Sequence, residues 1–231
     1  PRVGAIVVAA GRSSRMGGVD KTMLPLFGRP LLSYSLETLD RCVAVTAIVL
    51  VAGERTLENG RRLVEQSGWR KVREVCVGGV RRQDSVRQGL ASLPDMDWIV
   101  VHDGARPCLG AGLVERGLLE ARDTGAAAAA VPVRDTIKAA EPDGLVSRTV
   151  ARDGLWAVQT PQVFRWDLLA AAHLRVSQDV TDDASMLEMD GVKVKLFMGA
   201  YDNIKVAAPQ DVPIAEAILS SRERRDPASL P

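Results

Sequence analysis

VGAIVVAAGRSSRMGGVDK, residues 3–21, is the stretch on which the fold turns. Val3, Ile6, Val7 and Val8, with small residues between them, form the short apolar run of a central parallel strand. Ala9, Ala10 and Gly11 follow with almost no side chain, so backbone N–H groups there can close on an anion without steric obstruction. Arg12, Arg15 and Lys21 place positive charge around that backbone, and Asp20 opposes it. The stretch reads as a buried strand opening into a loop that holds phosphates. Two familiar phosphate loops are excluded. A dinucleotide fingerprint requires a second glycine where Arg12 and Ser13 stand, and a Walker A loop requires Gly-Lys-Ser/Thr, whereas Val19 and Asp20 separate Gly18 from Lys21. An ordinary strand-to-helix turn is the structural alternative.

Working outward, Pro30 opens a helix with Leu31, Leu32, Leu36 and Leu39 at helical spacing. Residues 47–52 (AIVLVA) give a second buried strand, 54–66 a polar helix ended by Gly68, and 72–77 a more exposed third strand. GGVRRQDSVRQGL, residues 78–90, is a Gly-Gly turn before a helix capped near Asp84 or Ser85, and its N-terminus offers a second wall for a nucleotide. A fourth strand, WIVVH at 98–102, a helix over 112–124 and the alanine-rich strand 126–133 continue the alternation. Strand and helix in alternation predict a doubly wound α/β fold with a mostly parallel sheet.

Residues 136–139 and 145–150 break the pattern. They pair across the Glu141-Pro142-Asp143-Gly144 turn as a hairpin too polar for the main sheet, which therefore projects. Such an arm suits exchange between subunits, and a mobile flap is the alternative. Helices over 165–174 and from a Thr181-Asp182-Asp183 cap to Met189, strands at 192–197 and 203–206, and a C-terminal helix from Pro209 complete the reading. Met186 and Met189 are expected in the core.

Composition limits the function classes. A net charge of +1 implies no global attraction to nucleic acid or membrane, so any basic site is local. Cys42, Cys76 and Cys108 are odd in number and contain no C-x-x-C pair, which argues against a disulfide framework or structural zinc. With no signal-peptide pattern or membrane-length apolar run, a cytoplasmic protein is expected. Asp103 and Arg106 follow the fourth strand at its carboxyl end, where ligands bind in open α/β sheets, although a mutual salt bridge ordering the loop would use the same residues. His102, a lone histidine ending a core strand, reads as structural.

Eight segments, in order and over nearly the whole chain, carry a resemblance: AAGRSSRM with Lys21, GGVRRQDSV, VHDGARP, PVRDTIK, TVARDGLW, TPQVF, TDDAS and DNIKV. Together the chain resembles the 2-C-methyl-D-erythritol 4-phosphate cytidylyltransferases. Val8, Thr22 and Val80 stand where that family more often has proline, glutamine and an acidic residue.

The resemblance implies a single Rossmann-like nucleotidyltransferase domain over 1–231, with 134–155 as a dimerisation arm reaching the neighbouring subunit's site. It implies CTP and a polyol phosphate as substrates, with Mg²⁺ held mainly by their phosphates and no protein metal ligands assigned. Arg15 and Lys21 would stabilise the transition state, and Arg152 and Lys205 would position the attacking phosphate. Ala9, Ala10, Gly11, Gly79 and Ser85 would hold the nucleotide, and Asp103, Arg106, Thr136 and Thr160 the sugar alcohol. Ribitol 5-phosphate as acceptor, or a regulatory protein that binds nucleotide without turnover, are the competing readings.

Overall fold

The computed structural model describes residues 1–11 and 21–225. Its elements in chain order are β1 (Val3–Ala9), β2 (Pro25–Leu26), β3 (Arg29–Pro30), α1 (Leu32–Arg41), β4 (Ala47–Ala52), α2 (Leu57–Ser67), β5 (Val72–Val77), α3 (Arg82–Ala91) and β6 (Trp98–Asp103). They continue with α4 (Ala111–Glu120), β7 (Ala126–Pro132), β8 (Ile137–Ala140), β9 (Val146–Val150), β10 (Trp156–Arg165), α5 (Trp166–Arg175), α6 (Asp183–Met189), β11 (Lys195–Met198) and α7 (Asp211–Arg225).

Among the described residues the main sheet has seven strands in the order β11-β7-β10-β6-β1-β4-β5. β6, β1, β4 and β5 pair in parallel, as do β7 and β11, while β10 runs antiparallel to both β6 and β7. Alternate side chains supply two cores. Val3, Ala5 and Val7 of β1 join Leu36 and Leu39 of α1 and Val114 of α4 on one face. Ile6 of β1 and Val49 of β4 join Val86 of α3, Leu169 of α5 and Leu187 of α6 on the other. A strand buried on both faces has no polar side to alternate, which is why β1 and β4 read as continuous apolar runs. Each fully buried leucine or isoleucine contributes about 1.5–3 kcal/mol of transfer free energy, so these two layers carry the fold.

The local signals act where expected in α2, which ends at Gly68 in the left-handed region with φ of 67°. α3 begins earlier than the sequence suggested. Arg81 is its N-cap, and Asp84, one turn in, accepts from the Arg81 backbone N–H at 3.2 Å and from its guanidinium at 2.9 Å. The hairpin β8–β9 forms a separate two-stranded sheet whose residues 141–149 are exposed.

Three expectations need correction. Residues 156–165, to which the sequence assigned no strand, form β10, whose polar Gln159, Thr160 and Gln162 are buried because Ala200, His102 and Asp182 satisfy them. Residues 203–206 are not a strand: the Val206 N–H goes to the Ala105 carbonyl and the Asn203 carbonyl to Arg106, so no ladder forms. Met189 is 57% exposed, whereas Met186 is buried as expected. Cys42, Cys76 and Cys108 are free thiols. Among the described residues no helix is long and apolar enough to cross a membrane.

Candidate active site

The strand order places a topological switch between β1 and β6, because the chain builds outward from β1 to β4 and β5 and then returns to β1's other side. Ligands in open α/β sheets bind in the crevice at such a point. Ala9, Ala10 and Gly11 leave β1 there, and Asp103 to Arg106 leave β6 beside them; the Gly104 N–H donates to the Val8 carbonyl at 2.9 Å.

The β5–α3 loop closes on the same crevice. A Cβ placed on Gly78 would lie 2.2 Å from Ala10 Cβ and 2.7 Å from Ser85 Oγ, and one on Gly79 would lie 2.3 Å from Asp84 Cβ. Only glycine allows this approach. Ser85 is buried, and its hydroxyl accepts from the Gly79 N–H at 3.2 Å and donates to the Arg81 carbonyl at 3.3 Å. Of the residues assigned to the nucleotide, Ala10 packs against the Gly78-Gly79 turn, and Ser85 holds the shape of that turn.

Asp103 is the centre of the polar half. Lys205 Nζ lies 2.7 Å from Oδ2, Arg82 Nε 3.4 Å from Oδ1 and Arg106 Nε 3.7 Å from Oδ2. Burial alone would raise the Asp103 pKa, but Arg82, Lys205 and Arg106 outweigh it and hold the carboxyl well below the usual carboxylate range. Burial likewise lowers the Arg106 pKa against the pull of Asp103. The salt-bridge reading of Asp103 and Arg106 and the site reading thus describe one cluster, with more positive than negative charge at its mouth.

His102 and Thr160 support it from behind. Burial pushes the His102 pKa down to about 4, so the ring is neutral near neutral pH. Nε2 lies 3.2 Å from the Arg106 carbonyl, which can only accept, so Nε2 carries the proton. Nδ1 then accepts from the Thr160 hydroxyl at 3.0 Å, and that hydroxyl accepts from the Asp103 N–H at 3.0 Å. Every donor in this chain has one acceptor. His102 is structural, and Thr160 bonds the backbone of Asp103.

The Lys205 loop is pinned by residues that sequence reasoning did not single out. Asn203 is fully buried; its side-chain amide donates to the Thr160 carbonyl at 2.8 Å, and its own carbonyl accepts from Arg106 Nη1 at 2.7 Å. Gln159 Nε2 donates to the Ala200 carbonyl at 2.9 Å. Arg82 was also missed. Its Nη1 lies 2.6 Å from Oδ2 of Asp183, a fully buried carboxylate whose Oδ1 has no partner among the described residues. Arg82 stands in the polar run 81–85, where nothing marks it out, and its partners Asp103 and Asp183 lie 21 and 101 positions away.

Other assigned residues are placed apart from this cluster. Thr136 and Arg152 are exposed at the base of the arm, where Arg152 Nη1 donates to the Arg134 carbonyl. Lys21 starts a short turn of 3₁₀ helix, and Arg15 lies outside the described residues. No group of three or more His, Cys, Asp or Glu side chains among the described residues is placed to hold a metal ion.

Residues 3–221 match the family model of IspD, 2-C-methyl-D-erythritol 4-phosphate cytidylyltransferase. The chain is 45% identical over 218 residues to the protein of that name from Dehalococcoides mccartyi, covering 94% of this chain and 96% of the relative. It is also 45% identical over 231 residues to that from Pelotomaculum thermopropionicum, covering 97% of each. Its fold is similar to the crystal structure of 4-diphosphocytidyl-2C-methyl-D-erythritol synthase from Anaerococcus prevotii, with a TM-score of 0.82 at 29% identity, covering 95% of this chain and 96% of the other. The chain therefore belongs to the IspD family of 2-C-methyl-D-erythritol 4-phosphate cytidylyltransferases.

Proposed function

We propose that the protein transfers CMP from CTP to 2-C-methyl-D-erythritol 4-phosphate, giving 4-diphosphocytidyl-2-C-methyl-D-erythritol and pyrophosphate in isoprenoid precursor synthesis. The convergence of Arg82, Arg106 and Lys205 on Asp103, beside the small-residue loop after β1, carries this reading. A phosphate oxygen of the acceptor forms a bond to the α-phosphorus of CTP, the bond from that phosphorus to the bridging oxygen breaks, and the electron pair leaves with pyrophosphate. The acceptor phosphate is already anionic, so no histidine or cysteine nucleophile is required.

Two anionic reactants repel each other, and the site's task is to neutralise and align them. Lys205 and Arg152 hold the attacking phosphate, and Arg15 and Lys21 meet the charge that develops on the transferred and leaving groups. Arginine presents a planar fork and lysine a mobile point charge, so the pair can follow the departing oxygens. Ala9, Ala10, Gly11, Gly79 and Ser85 enclose the nucleotide. Asp103, Arg106 and Thr136 receive the polyol, and Thr160 acts through the Asp103 backbone it holds.

Mg²⁺ enters as a companion of the triphosphate, where it neutralises charge. Asp103 and Asp183 are taken up by Arg82, Lys205 and Arg106, so the described residues offer the metal no built site. The arm, residues 134–155, makes the protein a homodimer with Arg152 serving the neighbouring site, in the cytoplasm. Pyrophosphate release measured with CTP across a panel of polyol phosphates tests the reading. Release with methylerythritol phosphate alone is expected; release with ribitol 5-phosphate in its place would overturn the acceptor, and binding of CTP without release would favour a regulatory protein.

A further inference from the structure

Arg134 lies where the chain leaves β7 for the arm, and its guanidinium carbon sits 3.3 Å from the centroid of the Tyr201 ring. The Tyr201 hydroxyl donates to the Pro132 carbonyl at 2.7 Å, which fixes the ring against the end of β7. The Arg134 carbonyl in turn accepts from Arg152, the two roots of the arm are joined where the Val133 N–H meets the Leu155 carbonyl at 3.0 Å, and the Leu155 N–H closes a turn on the Arg152 carbonyl at 2.9 Å. Tyr201 belongs to the loop that Gln159 and Asn203 pin, the loop that carries Lys205.

We infer that Tyr201 is a positioning residue for the acceptor phosphate: its ring supports Arg134, sets the root of the hairpin arm and thereby places Arg152. The inference rests on the assignment of Arg152 and Lys205 to that phosphate in the proposed reaction. A face-on ring holds a guanidinium without occupying its backbone carbonyl, so Arg134 remains free to accept from Arg152. Among the described residues the hydrogen-bond partner of Arg152 is a neutral carbonyl, which leaves its positive charge for an anion. Tyr201 is 41% exposed and Arg134 is exposed, so the stack belongs to the surface and not to either core. What it governs is the direction of the arm. In the homodimer proposed above, Tyr201 ties the Lys205 loop of its own site to the arginine sent to the neighbouring one.

The test combines steady-state kinetics with hydrogen exchange at the Val133 and Leu155 amides in Tyr201→Leu, Tyr201→Phe and Arg134→Ala. Tyr201→Leu should raise KM for methylerythritol phosphate about tenfold, leave KM for CTP within about twofold, and speed exchange at both amides. Tyr201→Phe keeps the ring but loses the bond to Pro132 and should fall between the parent and Tyr201→Leu, Arg134→Ala should reproduce Tyr201→Leu, and the double variant should be no worse than either single one. An unchanged acceptor KM in Tyr201→Leu, an equal rise in both KM values, or a Tyr201→Phe variant as impaired as Tyr201→Leu would overturn the inference. Absence of turnover on this acceptor in the parent protein, with exchange still faster in Tyr201→Leu, would contradict the reaction assignment while supporting the role of Tyr201 at the arm.

Discussion

Lys205 sets its ammonium 2.7 Å from the Asp103 carboxylate, across 102 positions of sequence. The two ends of the pair differ: the Lys205 side chain is 43% exposed and that of Asp103 only 10%. The lysine can turn to a ligand, while the carboxylate stays where Arg82 and Arg106 also hold it. Lys205→Ala should therefore lower turnover about a hundredfold, the scale of losing one charge-stabilising donor, with little change in thermal midpoint. Near-normal turnover would remove Lys205 from the reaction.

Gly78→Ala should act on the nucleotide side alone. The added methyl would press on Ala10 and Ser85 and part the two loops. KM for CTP is expected to rise about tenfold while KM for the acceptor phosphate stays within about twofold. An equal rise in both would mean the loops do not form a separate nucleotide wall.

Arg82→Met should destabilise the fold through Asp183, which is fully buried and already has one unpartnered oxygen. Removing the cation from such a pair costs about 3–5 kcal/mol, readable by denaturant unfolding. Arg82→Met with Asp183→Asn should recover part of that loss, since no buried charge then remains unpaired. No recovery would place the effect elsewhere in the Arg82 environment.

Stability should fall on mild acidification because of His102. Its folded pKa is lowered from 6.5 to about 4, so the unfolded chain takes up the proton first. The stabilisation is complete above the unfolded value and declines as pH drops through this window, by roughly 3 kcal/mol in all. Burial lowers the His173 pKa as well, which adds a decline of the same sign. Asp103 adds little until the acid end of that window, because a depressed carboxylate loses its contribution only as pH falls through the ordinary carboxylate range. His102→Gln should flatten the slope to the remainder left by His173; an unaltered slope would contradict the neutral buried ring.

The parallel half of the sheet was legible because β4 and β5 are contiguous runs whose residues 47–52 and 72–77 stand in the sequence with clear limits. β10 was not, since Gln159, Thr160 and Gln162 look like loop residues until Ala200, His102 and Asp182 appear beside them. Residues 203–206 erred the other way, with strand-like composition but backbone bonds to Ala105 and Arg106. In the site, Asp103 and Arg106 announced themselves by following a buried strand. Arg82, Asp183 and Asn203 did not, because each acts through a partner that only tertiary structure supplies.

Phosphorus NMR of a mixture of CTP, methylerythritol phosphate, Mg²⁺ and the protein tests the central claim most directly. The account predicts that the acceptor monophosphate signal is replaced by a coupled pair from a new diphosphate linkage, with pyrophosphate appearing in equal amount. Pyrophosphate without that coupled pair, or an unconsumed acceptor beside intact CTP, would contradict it.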